Sequence, residues 1–151
     1  YNMTGWRIGM ACGNPEIVRA IATSKSNTDS GVFNAVQYAG IEALDQCDAF
    51  IGEMLAVYGR RREKVLALLN ELGWNFDAPK GTFYLWVPVP AGYTSAEFCD
   101  FVFEKAAVVL APGAAYGVNG EGYVRFSLTV EDDRLDEALE RMRAGIGRVT
   151  F

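Results

Sequence analysis

Histidine is absent from the 151 residues. Without an imidazole the chain lacks the commonest general base and metal ligand, so Ser-His or Cys-His catalysis within it is excluded. Cysteine is scarce: Cys12, Cys47 and Cys99 are the only three, far apart and odd in number. That pattern fits neither a disulfide framework nor a zinc site, and reads as reduced, buried thiols of a cytoplasmic protein. Basic residues are outnumbered, 14 Lys and Arg against 19 Asp and Glu, for a net charge of −5. An acidic balance argues against a nucleic-acid partner, because neutralising phosphates takes clustered Lys and Arg. The one basic run, Arg60-Arg61-Arg62-Glu63-Lys64, reads as the solvated side of a helix. Long apolar runs are missing too: nothing approaches the roughly 18 residues of a membrane-spanning helix, so no membrane partner is expected.

What is present is an ordinary globular composition, 50% hydrophobic and 22% charged, long enough to bury a core. Residues 6–11, WRIGMA, read as a short strand. Asn14-Pro15-Glu16 is a helix start, with a capping Asn, Pro in the first turn and an acid next. Residues 24–31 are polar and turn-rich and read as a loop. A second helix is expected from about Gly31 to Leu44. A long one runs from near Asp48 to Gly73, roughly 25 residues spanning nearly 40 Å. Beyond it, GTFYLWVPV reads as a strand, Thr94 with Glu97 as a capping box opening a helix, AVVLAP as a second strand and YVRFSLT as a third. Thr129 is expected to cap a last helix. The order α-β-α-β-β-α from residue 48 onward implies an α/β sandwich.

Two arginines stand out. In YVRFSLT, Val124, Phe126 and Leu128 alternate onto one face, the core, and Tyr123, Arg125 and Ser127 onto the other. Arg125 either points to solvent or clamps a carboxylate, for which the planar guanidinium fork is suited and an ammonium is not. Arg7 lies between Gly5 and Gly9, residues that let backbone approach an anion closely; the alternative is a surface arginine on an edge strand. The glycine-rich GAAYGVNGEG lacks the Gly-Lys-Ser/Thr of a phosphate-binding loop and reads as a connection.

Four segments, YNMTGWRIG, SNTDSGVFNAVQ, PKGTFYLWVPVPAGYTSAEF and VVLAPGAAYGVNGEGYVRFSLT, together resemble the C-terminal part of class I aminotransferases. These are pyridoxal-phosphate enzymes of the aspartate aminotransferase fold type, and the wording is most similar to the LL-diaminopimelate group. The resemblance implies that residues 1–45 end a large cofactor-binding domain, 46–72 form an inter-domain helix and 73–151 make a small C-terminal α/β domain. It implies that Arg7 pairs with the cofactor phosphate and Arg125 grips the α-carboxylate of the substrate. The family's Schiff-base lysine precedes its G-x-R-x-G motif, so counting back from Arg7 puts it just upstream of Tyr1. Ser24-Lys25 imitates the family's Ser-Lys pair but follows that motif, and Lys64, Lys80 and Lys105 lack it. No catalytic residue is therefore expected in this chain, which by itself should be inactive. Asn27 to Gly31 match a loop near the family's dimer interface and active site. Tyr116-Gly117 stands where relatives often carry Phe-Gly. The implied partners are an amino acid, a 2-oxo acid and a second copy of the chain. The alternative reading, motivated by the missing lysine, is a catalytically inert α/β binding or dimerisation module.

Overall fold

The structure, a computed structural model, describes residues 1–74 and 76–147. They divide into two compact units, Tyr1–Ala56 and Val57 onward. The helices are α1 (Pro15–Ser26), α2 (Asn34–Gln46), α3 (Asp48–Glu71), α4 (Ser95–Ala106) and α5 (Asp132–Gly145), and α3 runs through the boundary between the units. The strands β1 (Tyr84–Pro88), β2 (Ala111–Pro112) and β3 (Tyr123–Ser127) form one antiparallel sheet in the order β1-β3-β2. The protein is thus α/β, and the order from α3 onward is the α-β-α-β-β-α that the sequence implies.

The second unit has the core. One face of the sheet buries Leu85 and Val87 from β1 with Val124 and Phe126 from β3, as alternation requires. Val65, Leu68 and Leu69 of α3, Phe98 and Val102 of α4, and Leu135, Leu139 and Met142 of α5 complete the same cluster. Fully burying each such side chain is worth about 1.5–3 kcal/mol. Gly145 lets α5 end close to α4: a Cβ there would come within 2.1 Å of the Lys105 carbonyl oxygen. Thr94 and Glu97 form the expected capping box. The last helix starts differently. Its N-cap is Glu131, and Thr129 instead lies 2.8 Å from Ser127 through their hydroxyl oxygens.

The basic run on α3 is not simply solvated. Arg61 has only 12% of its side chain exposed. Its guanidinium donates to Asp132 and, at 3.1 Å, to the Leu128 carbonyl. Lys64 pairs with Asp136 at 2.6 Å, so α3 and α5 are tied by charge as well as by apolar packing.

The first unit is different in kind. Of its residues only Ala43 is buried. The thiols are not buried as expected: Cys12 is exposed and Cys47, like Cys99 in the second unit, is half-buried, because the segments that carry the first two cover no core. The apolar stripe of α1 exposes Ile17 and Ile21, and α2 exposes Tyr38, Ile41 and Leu44. Asn14 caps α1 as expected, its Oδ1 accepting from the Glu16 N–H at 2.8 Å. α1 continues through Ser24 and Lys25 to Ser26, so the loop is shorter than its polar composition suggests. α2 begins at Asn34, not near Gly31, because Gly31 sits at φ +93°, outside the helical region. WRIGMA is not a strand. Gly5 and Arg7 have positive φ, which breaks extended backbone, and no described strand pairs with it.

Candidate functional site

Arg7 takes φ +55°, uncommon for a residue with a Cβ. Such conformations persist where surrounding structure imposes them, often at ligand sites. The turn aims Arg7 into an open cavity of about 1150 Å³ that Thr4, Gly5, Gly9 and Gly31 also line. Ile8 closes against α2 at Gly40, where a Cβ would come within 2.8 Å of its Cδ1. Arg7 has no hydrogen bond or ion pair among the described residues. The Asn27–Gly31 segment reaches the same cavity through Gly31 and is closed on itself. Asp29 accepts from the Gly31 N–H at 2.9 Å and from the Lys25 ammonium. Chiefly that Lys25 contact, then the Gly31 N–H, holds the Asp29 carboxyl below its usual range. Lys25 is thereby engaged on the surface and does not line the cavity.

Arg125 lies in the other unit, at the centre of β3, opposite Trp86 on β1 and Ala111 on β2. It sits on the sheet face turned away from the core and is half-buried. Its guanidinium carbon is 4.0 Å from the ring centre of Tyr84 and 4.6 Å from that of Tyr116. Its Nε is buried and has no hydrogen-bond partner among the described residues. Trp86 stacks on Tyr123 and meets Tyr116 edge-on, both with ring centres 5.8 Å apart. Arg125 thus stands in an aromatic frame on an otherwise open face.

The loop that carries Tyr116 is more ordered than its composition suggests. AVVLAP shortens to the two residues of β2 because Ala107 ends α4 in the left-handed conformation, φ 52°. GAAYGVNG then forms two 3₁₀ turns, Gly113–Tyr116 and Val118–Gly120. Gly113 and Gly120 touch backbone to backbone: a Cβ on either would lie 2.0 Å from the other's carbonyl oxygen. Glu121 fastens the loop to the start of α4. Its carboxylate accepts from the Ser95 N–H at 2.7 Å, the Ser95 hydroxyl at 3.0 Å and the Gly122 N–H at 2.9 Å. These bonds, the Ser95 N–H first, hold the Glu121 carboxyl below its ordinary value. Ser95, fully buried, also receives the Ala114 N–H at 3.4 Å.

Sequence reasoning singled out both arginines but missed the frame. Tyr84 and Trp86 could have been assigned by carrying the alternation of β3 across to β1. Tyr116 could not, since its placement depends on turns that close through space. Among the described residues no group of His, Cys, Asp and Glu could hold a metal, and no helix is long and apolar enough to cross a membrane.

Residues 1–142 match the family model for aminotransferase class I and II, and the chain belongs to that family, whose members depend on pyridoxal phosphate. Among its relatives, it is 52% identical over its whole length to the LL-diaminopimelate aminotransferase of Moorella thermoacetica, covering 39% of that protein. The enzyme of the same name from Desulforudis audaxviator is also 52% identical and is covered to 38%. Of the solved structures, an aminotransferase from Staphylococcus aureus superposes with a TM-score of 0.83 at 38% identity, over 95% of this chain and 38% of that one. The aromatic aminotransferase of Pyrococcus horikoshii gives 0.80 at 35% identity, over 93% of this chain and 38% of that one. The chain therefore spans about two fifths of the length of these proteins.

The residues present fit one end of that cofactor. A guanidinium without a partner among the described residues, in a cavity that glycines help to line, is a suitable donor for a phosphate. No lysine lines the cavity to anchor the cofactor's other end.

Proposed function

We propose that this chain is the C-terminal portion of an aminotransferase that moves an amino group between an amino acid and a 2-oxo acid. The observation that carries the reading is Arg125, a half-buried cation on an open sheet face, held by rings and hydrogen-bonded to no acceptor among the described residues. Rings leave its N–H donors free, and a planar carboxylate is the ligand those donors match. Pyridoxal phosphate supplies the electron sink of the reaction when bound. Arg7 binds the phosphate and so fixes where the cofactor lies; Arg125 binds the α-carboxylate and so fixes which end of the amino acid meets it. No lysine of this chain is assigned as the cofactor's anchor, and on this reading the 151 residues alone do not catalyse the transfer.

The identity of 52% to two LL-diaminopimelate aminotransferases supports LL-diaminopimelate as the amino donor, and amino-acid biosynthesis as the setting. A cytoplasmic homodimer is consistent with three free cysteines and with the apolar faces that the first unit leaves exposed. On this reading residues 1–45 end the cofactor domain, 46–72 link, and 73–151 form the small domain.

In the full-length enzyme, replacing Arg125 by Ala removes a bidentate charged contact. KM for the amino donor rises roughly 100-fold while the bound cofactor is retained. Steady-state kinetics with cofactor absorbance checks this; an unchanged KM overturns the assignment.

A further inference from the structure

A cation held in place inside a protein usually has an acidic or carbonyl partner. Arg61 shows that arrangement, its donors spent on Asp132 and the Leu128 carbonyl. Arg125 shows the opposite. The groups beside its guanidinium are the rings of Tyr84, 4.0 Å away from the β1 side, and Tyr116, 4.6 Å away from the turn after β2. The face of an aromatic ring attracts a cation through its quadrupole, but it accepts no in-plane hydrogen bond. A carboxylate would hold the cation as well, yet would occupy the donors a ligand needs.

The mounting of Tyr116 points the same way. Its ring is braced edge-on by Trp86, 5.8 Å between centres. Its turn is pinned by the Gly113–Gly120 backbone contact and by the Glu121–Ser95–Ala114 hydrogen bonds. Tyr84 lies diagonally across the β1–β3 register from Arg125, two residue pairs from the Trp86–Arg125 pairing and so on the same face.

We propose that Tyr84 and Tyr116 are positioning residues for Arg125: their ring faces fix the guanidinium plane while leaving its donors for the substrate carboxylate. This rests on reading Arg125 as the carboxylate clamp. The rings act through Arg125, and their hydroxyls play no part.

The experiment uses the full-length enzyme with Tyr84→Leu, Tyr116→Leu, Tyr84→Phe and Tyr116→Phe, and Arg125→Lys as the reference. Each Leu variant raises KM for the amino donor about tenfold, with kcat within about twofold of the parent and the cofactor absorbance band unchanged. Each Phe variant restores the parental KM. Leu variants with the parental KM overturn the proposal. So do Phe variants as impaired as the Leu variants, which would make the hydroxyls the working groups, and so does a joint fall of kcat and cofactor content, which would mean general damage. Arg125→Lys distinguishes the two levels. An impaired Arg125→Lys beside normal Leu variants overturns the positioning role alone, and an unimpaired Arg125→Lys overturns the clamp itself.

Discussion

A positive φ at a residue with a Cβ is strain that something in the fold must hold, and Arg7 and Ala107 mark two different reasons for it. Arg7 turns its side chain into the cavity that the phosphate reading needs. Ala107 only ends a helix: as the left-handed C-cap of α4 at φ 52°, ψ 38°, it occupies the conformation that glycine adopts freely. Ala107→Gly should therefore stabilise the protein by about 1 kcal/mol, seen as a higher urea midpoint with unchanged slope. A lower midpoint would mean that the Cβ makes contacts worth more than the strain. Neither conformation was legible in the sequence. Arg7 sits in an alternating pattern that reads as a strand, and Ala107 begins a run of β-branched residues that reads as another. Backbone sign is set by what closes around a residue, and single-letter patterns carry it only where glycine or asparagine stands.

Among elements, the local signals proved the most legible. The Asn14 cap, the Thr94–Glu97 box and the long α3 rest on contacts within a few residues, so spacing alone reveals them. The buried face of β3 was legible for the same reason, since strand alternation is local. What spacing could not reveal are ties between distant elements: Arg61 of α3 to Asp132 of α5, and Glu121 to Ser95 at the start of α4. The second of these gives a pH dependence. Glu121 is held below its ordinary value of 4.5 by the Ser95 and Gly122 N–H groups and the Ser95 hydroxyl, so its charged form binds better folded than unfolded. Its contribution is full above the ordinary value and is lost as pH falls through the lowered one. Glu121→Gln should thus lower the melting temperature near neutral pH, and the gap to the parent should close in acid below the ordinary value. A gap of constant size down to that acidity would show that the charge of Glu121 contributes nothing.

At the scale of the whole molecule, the two units pose different questions. The second has a core of its own, built from three helices on one side of a sheet. The first buries a single residue and leaves the apolar stripes of both its helices in the open. That asymmetry matches a family in which this chain corresponds to about two fifths of a longer enzyme. The family itself was legible because its motifs recur in order along the chain. The roles of Arg7 and Arg125 were not legible from periodicity or spacing, which place each arginine on its own segment and say nothing of what it binds. The most direct measurement is amino transfer itself: the full-length protein, saturated with pyridoxal phosphate, is given LL-diaminopimelate and a 2-oxo acid, and the newly formed amino acid is quantified. Cofactor-dependent turnover by the full-length protein, with none from the 151-residue chain alone, is the predicted result. A full-length protein that binds the cofactor and transfers nothing from any amino acid offered, or a 151-residue chain that turns over by itself, would contradict it.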